Sequence, residues 1–174
     1  MTPGELKKCA IYASVLNCNR YAQHLTDAAD EFGITTDLAA AHWLAQLIHE
    51  SSSFSTTVEY ASGGAYEGRL DLGNDELGDG VKYKGHGLIQ VTGKANHFAA
   101  ADYFRVPREQ IVEWLQSPEG ATRSAGWFWQ KHNLNVLAEA DNIEAVTKVI
   151  NGGCIGLAER KMRLAEVRRG LGIA

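Results

Sequence analysis

Half of this chain's eighteen glycines are concentrated between Gly63 and Gly93. With Tyr66, Asp71, Asn74, Asp79 and Tyr83 interspersed, that stretch suits turns and short strands rather than helix. The sequence on both sides has helical periodicity. Leu6, Ala10, Ala13 and Leu16 predict a helix over 4–17, and a second is expected over 19–32 with Gly33 as its left-handed cap. Thr35, Thr36 or Asp37 starts a third, carrying Leu38, Ala41, Leu44, Ala45, Leu47 and Ile48. Further helices are predicted over 94–103, 108–116, 122–131, 143–150 and 157–171. Lys82 to Lys84 and Leu88 to Val91 are read as the strands of a small β-hairpin. The expectation is one mainly α domain over 1–174, of α+β type, with no internal repeat.

The formal charge of −4 and pI near 5.9 exclude the basic field on which nucleic-acid binding depends. Cys9, Cys18 and Cys154 are odd in number and lack C-x-x-C spacing, so neither zinc site nor disulfide framework is indicated, and buried free thiols are expected. No apolar run approaches the length of a membrane span. Lys7 and Lys8 have no apolar core behind them, so no signal peptide is read and synthesis as a cytoplasmic protein is expected.

His42, Gln46 and Glu50 recur at i, i+4 and i+8 on the third helix, a polar stripe opposite Leu44, Leu47 and Ile48. A carboxyl at the end of an otherwise apolar helix can sit half-buried in a cleft wall, where desolvation favours the protonated form a general acid needs. A glutamate on a solvated helix face is the alternative. Zinc does not fit, since H-E-x-x-H fails at Ser53. Glu59 and Glu67 follow as candidate second acids, and paired acids across a groove are what glycosidic cleavage needs. The segment from Lys84 to Lys94 matches neither a Walker loop nor G-x-G-x-x-G. It reads either as a structural hairpin or as one whose glycines admit a substrate to the backbone, with Gln90, Thr92 and Asn96 offering amides and a hydroxyl. Trp127, Phe128 and Trp129 are expected in the core, and the basic C-terminal helix as a solvated face.

Taken in order, His49-Glu50-Ser51, Val58-Glu59-Tyr60, Tyr66-Glu67-Gly68-Arg69, the run from Tyr83 to Gly93 and Ile150-Asn151-Gly152-Gly153 resemble glycoside hydrolase family 19, the chitinases and related phage endolysins. The resemblance runs from about Phe32 to Arg160. It implies a lysozyme-like fold with a small β-element and a substrate groove, and an inverting mechanism without cofactor or metal. It further implies Glu50 as general acid, Glu59 as base, and Thr92 as a hydroxyl holding the attacking water. Gln90, Asn96 and Asn151 match groove-lining amides, and Tyr83 and Arg160 are substrate contacts of the same kind. Glu67 is carried as a groove residue and rival base. His86 stands where the family commonly has arginine, which implies an altered, pH-dependent contact to substrate or carboxylate.

The substrate this implies is a β-1,4 amino-sugar polymer. Peptidoglycan is expected ahead of chitin because the chain is small and lacks an export signal or a chitin-binding module. That reading is of a monomeric endolysin, with muramidase activity in cell lysis, delivered to the wall by a holin-like pore. A non-catalytic glycan-binding module is the rival from another class; a wall peptidase finds no support in the cysteine or zinc patterns.

Overall fold

The computed structural model describes residues 1–173. Its helices are α1 (Pro3–Cys9), α2 (Val15–Glu31), α3 (Asp37–Glu50), α4 (Asp79–Lys82), α5 (Lys94–Phe104), α6 (Ile111–Gln116), α7 (Pro118–Lys131), α8 (Leu134–Glu139), α9 (Ile143–Asn151) and α10 (Leu157–Leu171). The axis of the molecule is α3. The Thr36 hydroxyl accepts from the Ala39 amide and starts it, and residues on every side of the helix are buried, Trp43, Leu44, Leu47 and Ile48 among them. It packs against α8, α9 and α10, while α1 lies on α10 and α2 on α7. The α2–α7 crossing is close because position 126 is glycine: a Cβ there would come within 2.3 Å of the Phe32 ring. One contiguous apolar core runs from Leu6 through Trp43 and Trp129 to Val167.

Several local expectations are corrected. The first helix stops at Cys9, because the Lys7 ammonium bonds the Ile11 and Ala13 carbonyls and Ser14 caps a new start at Val15. Helix α8 was not foreseen; it is short and follows Asn133 in a left-handed conformation (φ 51°). Cys9 and Cys18 are buried but Cys154 is exposed. Trp127 and Trp129 are buried as expected, whereas Phe128 is only partly so. On the C-terminal helix Lys161 and Arg169 are exposed as a solvated face requires, but Arg160 is buried with Leu164 and Val167 against the core.

The β-element is smaller than predicted and lies elsewhere in sequence. Among the described residues it consists of two isolated antiparallel bridges, Val58 with His86 and His86 with Val91. Lys82 ends α4 instead of forming a strand, and Leu88 to Gln90 make the turn, Gln90 in the left-handed region (φ 59°). Backbone bonds from Glu59 N to Gly85 O, Gly87 N to Thr57 O and Val91 N to His86 O tie three short extended pieces together. The preceding loop is fastened by Asn74, fully buried, whose amide donates to the Tyr66 carbonyl and whose carbonyl accepts from Lys94 N at the start of α5. Lys94 adds bonds to Asp75 and Asp79. Burial alone would raise the Asp79 carboxyl; the Glu76 amide and Lys94 outweigh it and hold the group below the usual range.

Candidate active site

Glu50 is the last residue of α3, and the chain beyond it turns through a tight exit. Ser52, Ser53 and Phe54 are successive non-glycine residues at positive φ, a conformation that costs energy and persists only where neighbours enforce it. The buried Ser51 hydroxyl does so: it donates to the Leu47 carbonyl at 2.6 Å and accepts from the Phe54 amide at 2.8 Å. Phe54 is buried against Tyr21, their ring centroids 5.7 Å apart. The exit returns the chain through Thr56 and Val58 to Glu59, so that both acids face one space.

Arg160, and not an apolar wall, dominates the surroundings of Glu50. Arg160, 1% exposed, donates from Nη2 to Glu50 Oε1 at 2.5 Å. Its Nη1 donates to Gln46 Oε1, and the Gln46 amide reaches the Thr147 hydroxyl at 3.4 Å, linking α10, α3 and α9 behind the carboxylate. The Thr147 hydroxyl in turn donates to the Ile143 carbonyl at 2.7 Å. The Glu50 side chain keeps 17% exposure, and among the described residues no protein group bonds its Oε2.

Glu59 is held by the bridge region rather than by a helix. Its Oε2 accepts from Gly85 N at 2.9 Å and its Oε1 from the Tyr66 hydroxyl at 3.1 Å. Gly85 is required here, because a Cβ would lie 2.7 Å from Gln90 Oε1 and 3.1 Å from Glu59 Oε2. The Gln90 amide donates to the Gly87 carbonyl at 2.8 Å, and the Thr92 hydroxyl to the Gln90 carbonyl at 2.9 Å. With its hydrogen committed, the Thr92 oxygen has lone pairs free to accept from a water.

Glu50, Glu59, Gln90, Thr92 and Asn151 line one open cleft of about 420 Å³, together with Ser52, Thr56, Tyr60 and Tyr66. Asn96 lies beside it, lining an adjoining hollow that shares Gln90 and Thr92, and its amide donates to the Thr92 carbonyl. The structure does not bring the remaining expected contacts into the cleft. Tyr83 is 3% exposed and packs edge-on against His97 and Phe98. Arg160 is too deeply buried to touch a ligand and acts on Glu50 instead. Glu67 accepts from Gly78 N and Val81 N, so its carboxylate fastens the α4 turn and is not in the cleft. His86 is buried and bonded to His97 at 3.0 Å, which removes the expected contact to substrate.

Sequence reasoning missed Tyr60, Tyr66 and Ser52. Tyr60 is 79% exposed beside Glu59, and an aromatic residue next to a candidate acid was the available signal. Ser52 carried none, since its place depends on the left-handed exit.

A mainly helical body with a carboxylate-bearing cleft beside a reduced β-element is a lysozyme-like architecture. No protein-family model matches the chain. A glycosyl hydrolase family 19 domain-containing protein of Haemophilus influenzae is 38% identical over 97 residues, 55% of this chain and 46% of that protein. An endochitinase of Arabidopsis thaliana is 33% identical over 131 residues, 72% of this chain and 45% of its own. The chain thus spans just under half the length of these curated relatives. In fold it is similar to the crystal structure of chitinase C from Streptomyces griseus, with a TM-score of 0.76 at 17% identity over 99% of this chain and 77% of that one. In sequence the chain is thus similar to glycoside hydrolase family 19 proteins, and in fold to a chitinase of known structure.

Proposed function

We propose that this chain is a glycoside hydrolase that cleaves β-1,4 bonds of an amino-sugar polymer with inversion. The observation that carries the reading is the shared cleft of Glu50, Glu59 and Thr92. Glu50, its Oε1 fixed by Arg160, lines the cleft and in its protonated form gives the proton on Oε2 to the departing glycosidic oxygen as the bond to the anomeric carbon breaks. Glu59 takes a proton from a water that Thr92 holds, and that water's oxygen bonds the anomeric carbon from the opposite face. Gln90 and Asn151 supply amides for sugar hydroxyls and acetamido groups, and Tyr60 a face for a ring to stack on.

Bacterial peptidoglycan is the first substrate of this reading, which makes the chain a muramidase of endolysin type. In that form it is made in the cytoplasm of a host cell and reaches the wall through a pore formed by a separate protein. Chitin is the second, favoured by the names of the endochitinase and chitinase relatives. Digestion of purified peptidoglycan and of chitin oligosaccharides, with mass spectrometry of the products, tests both. New reducing ends made by the wild type and lost in Glu50→Gln are expected. Cleavage of peptide bonds alone, or no cleavage of either polymer, would overturn the hydrolase reading.

A further inference from the structure

The hollow that adjoins the cleft differs from it in charge. Its volume is about 220 Å³, it shares Gln90 and Thr92 with the cleft, and its far wall is formed by Trp127, Phe128, Lys131 and His132 at the end of α7. Ile150, next in sequence to the cleft residue Asn151, closes it from α9. Among the described residues no carboxylate lines this hollow, whereas Glu50 and Glu59 both line the cleft. Lys131 is exposed, its Nζ lies 4.7 Å from the Trp127 ring centroid, and among the described residues it joins no ion pair. The exposed His132 packs tilted against Phe128, ring centroids 4.3 Å apart and planes at 39°. A partly exposed Phe128 and a lysine that is in no ion pair among the described residues, continuous with a sugar cleft, suit a ring that carries negative charge.

We propose that this hollow is a subsite for an amino sugar bearing a carboxylate substituent, and that Lys131 selects the acidic, lactyl-bearing sugar of peptidoglycan over the neutral sugars of chitin. The proposal rests on the hydrolase reading above and names the substrate class of the same groove. Chitin repeats only hydroxyl and acetamido groups, so an ammonium facing it has no charge to neutralise. Peptidoglycan sets a lactyl ether on every second ring, ending in a carboxylate or continuing into an acidic peptide. Selection by a cation at a groove rim acts by discriminating between two ligands that share all other contacts. Such a contact is solvent-exposed and screened by salt.

The test is calorimetric binding of two tetrasaccharides of equal length, one of chitin and one of peptide-free peptidoglycan with its lactyl carboxylates free. The protein is the full chain carrying Glu50→Gln, alone or with Lys131→Glu or Lys131→Arg. The expected result is tighter binding of the acidic tetrasaccharide, with the affinity ratio lowered roughly tenfold by Lys131→Glu, restored by Lys131→Arg and diminished at high salt. Equal affinities, or a ratio that Lys131→Glu leaves unchanged, would overturn the subsite. Binding of neither tetrasaccharide would overturn it as well. Wild-type release of reducing ends from either polymer, measured separately, shows whether the hydrolase reading survives that failure.

Discussion

Arg160 grips Glu50 from behind: one guanidinium nitrogen lies 2.5 Å from Glu50 Oε1 and the other bonds the buried Gln46. The fork spans two helices, α3 and α10, so the orientation of the carboxylate is set by how those helices pack. Arg160→Lys keeps the charge but cannot make both contacts. A loss of kcat on the order of tenfold or more with KM nearly unchanged is expected, because a misoriented acid weakens the transition state more than the ground state. Arg160→Met leaves Glu50 beside an apolar group and should cost about 3 kcal/mol in urea unfolding, toward the low end for a broken buried pair because Glu50 keeps some water. Unchanged kcat in the lysine variant would mean that Glu50 needs no such support.

The fold was largely legible in the sequence, and the reasons show where reading stops. The α10 boundaries, Leu157 to Leu171, follow from periodicity and were predicted as observed. The break after Cys9 was not, because it depends on Lys7 reaching two carbonyls, a contact that hydrophobic spacing does not encode. At the site, Glu50 and Glu59 were visible as candidate acids from type and position, and their roles came from the family resemblance. The partner of Glu50 lies 110 residues away, and its role required knowing that Gln46 and Thr147 face it across helix contacts. Tyr83 and His86 show the converse: residues in a conspicuous motif turned out to be packing behind the cleft wall.

The choice between Glu59 and Glu67 as base follows from their partners. Each accepts two hydrogen bonds, but those of Glu59 hold it in the cleft wall beside Gly85 and Tyr66, whereas those of Glu67, from the Gly78 and Val81 amides, hold it at the α4 turn outside the cleft. Glu59→Gln should lower kcat by roughly two to four orders of magnitude, the usual contribution of a general base. Glu67→Gln retains an acceptor oxygen and should leave turnover within about twofold, with a stability loss below about 1 kcal/mol. The reverse ranking in steady-state rates would transfer the role to Glu67.

Ser51 holds the left-handed exit of α3 by two hydrogen bonds, to Leu47 and from Phe54. In Ser51→Ala the buried Phe54 amide loses its partner, and a destabilisation of about 1–3 kcal/mol is expected. Since the strained Ser52 to Phe54 turn places Glu59 opposite Glu50, activity should fall further than the unfolded fraction accounts for. Parallel measurement of urea unfolding and kcat separates the two; activity lost only in proportion to unfolding would show that the turn is merely structural.

The buried pair His86–His97 makes stability depend on pH with a definite sign. His97 Nδ1 lies 2.8 Å from the Gly93 carbonyl, which can only accept, so Nδ1 carries the proton and Nε2 must accept from His86 Nδ1 at 3.0 Å. His97, one of whose ring nitrogens must accept, is therefore neutral in the fold, and burial favours the neutral form of His86. Burial pushes His97 down to about 4, the Gly93 carbonyl opposing and His86 reinforcing the shift. His86 is lowered first by burial and then by Lys84, against the pull of the Lys84 backbone and Glu59. In the unfolded chain both titrate near pH 6.5, so between about 6.5 and 4 the unfolded state binds more protons and stability falls as the pH falls. For His97 alone the decline amounts to about 3 kcal/mol, levelling off once the folded ring is also protonated. His42, lowered by burial despite Asp141, titrates in the same direction, so the comparison that isolates the pair is wild type against His97→Asn in urea unfolding from pH 7 to 5. A shallower slope is expected for the variant. A wild-type stability that holds level or rises on acidification through that range would mean that the two rings are not neutral in the folded protein.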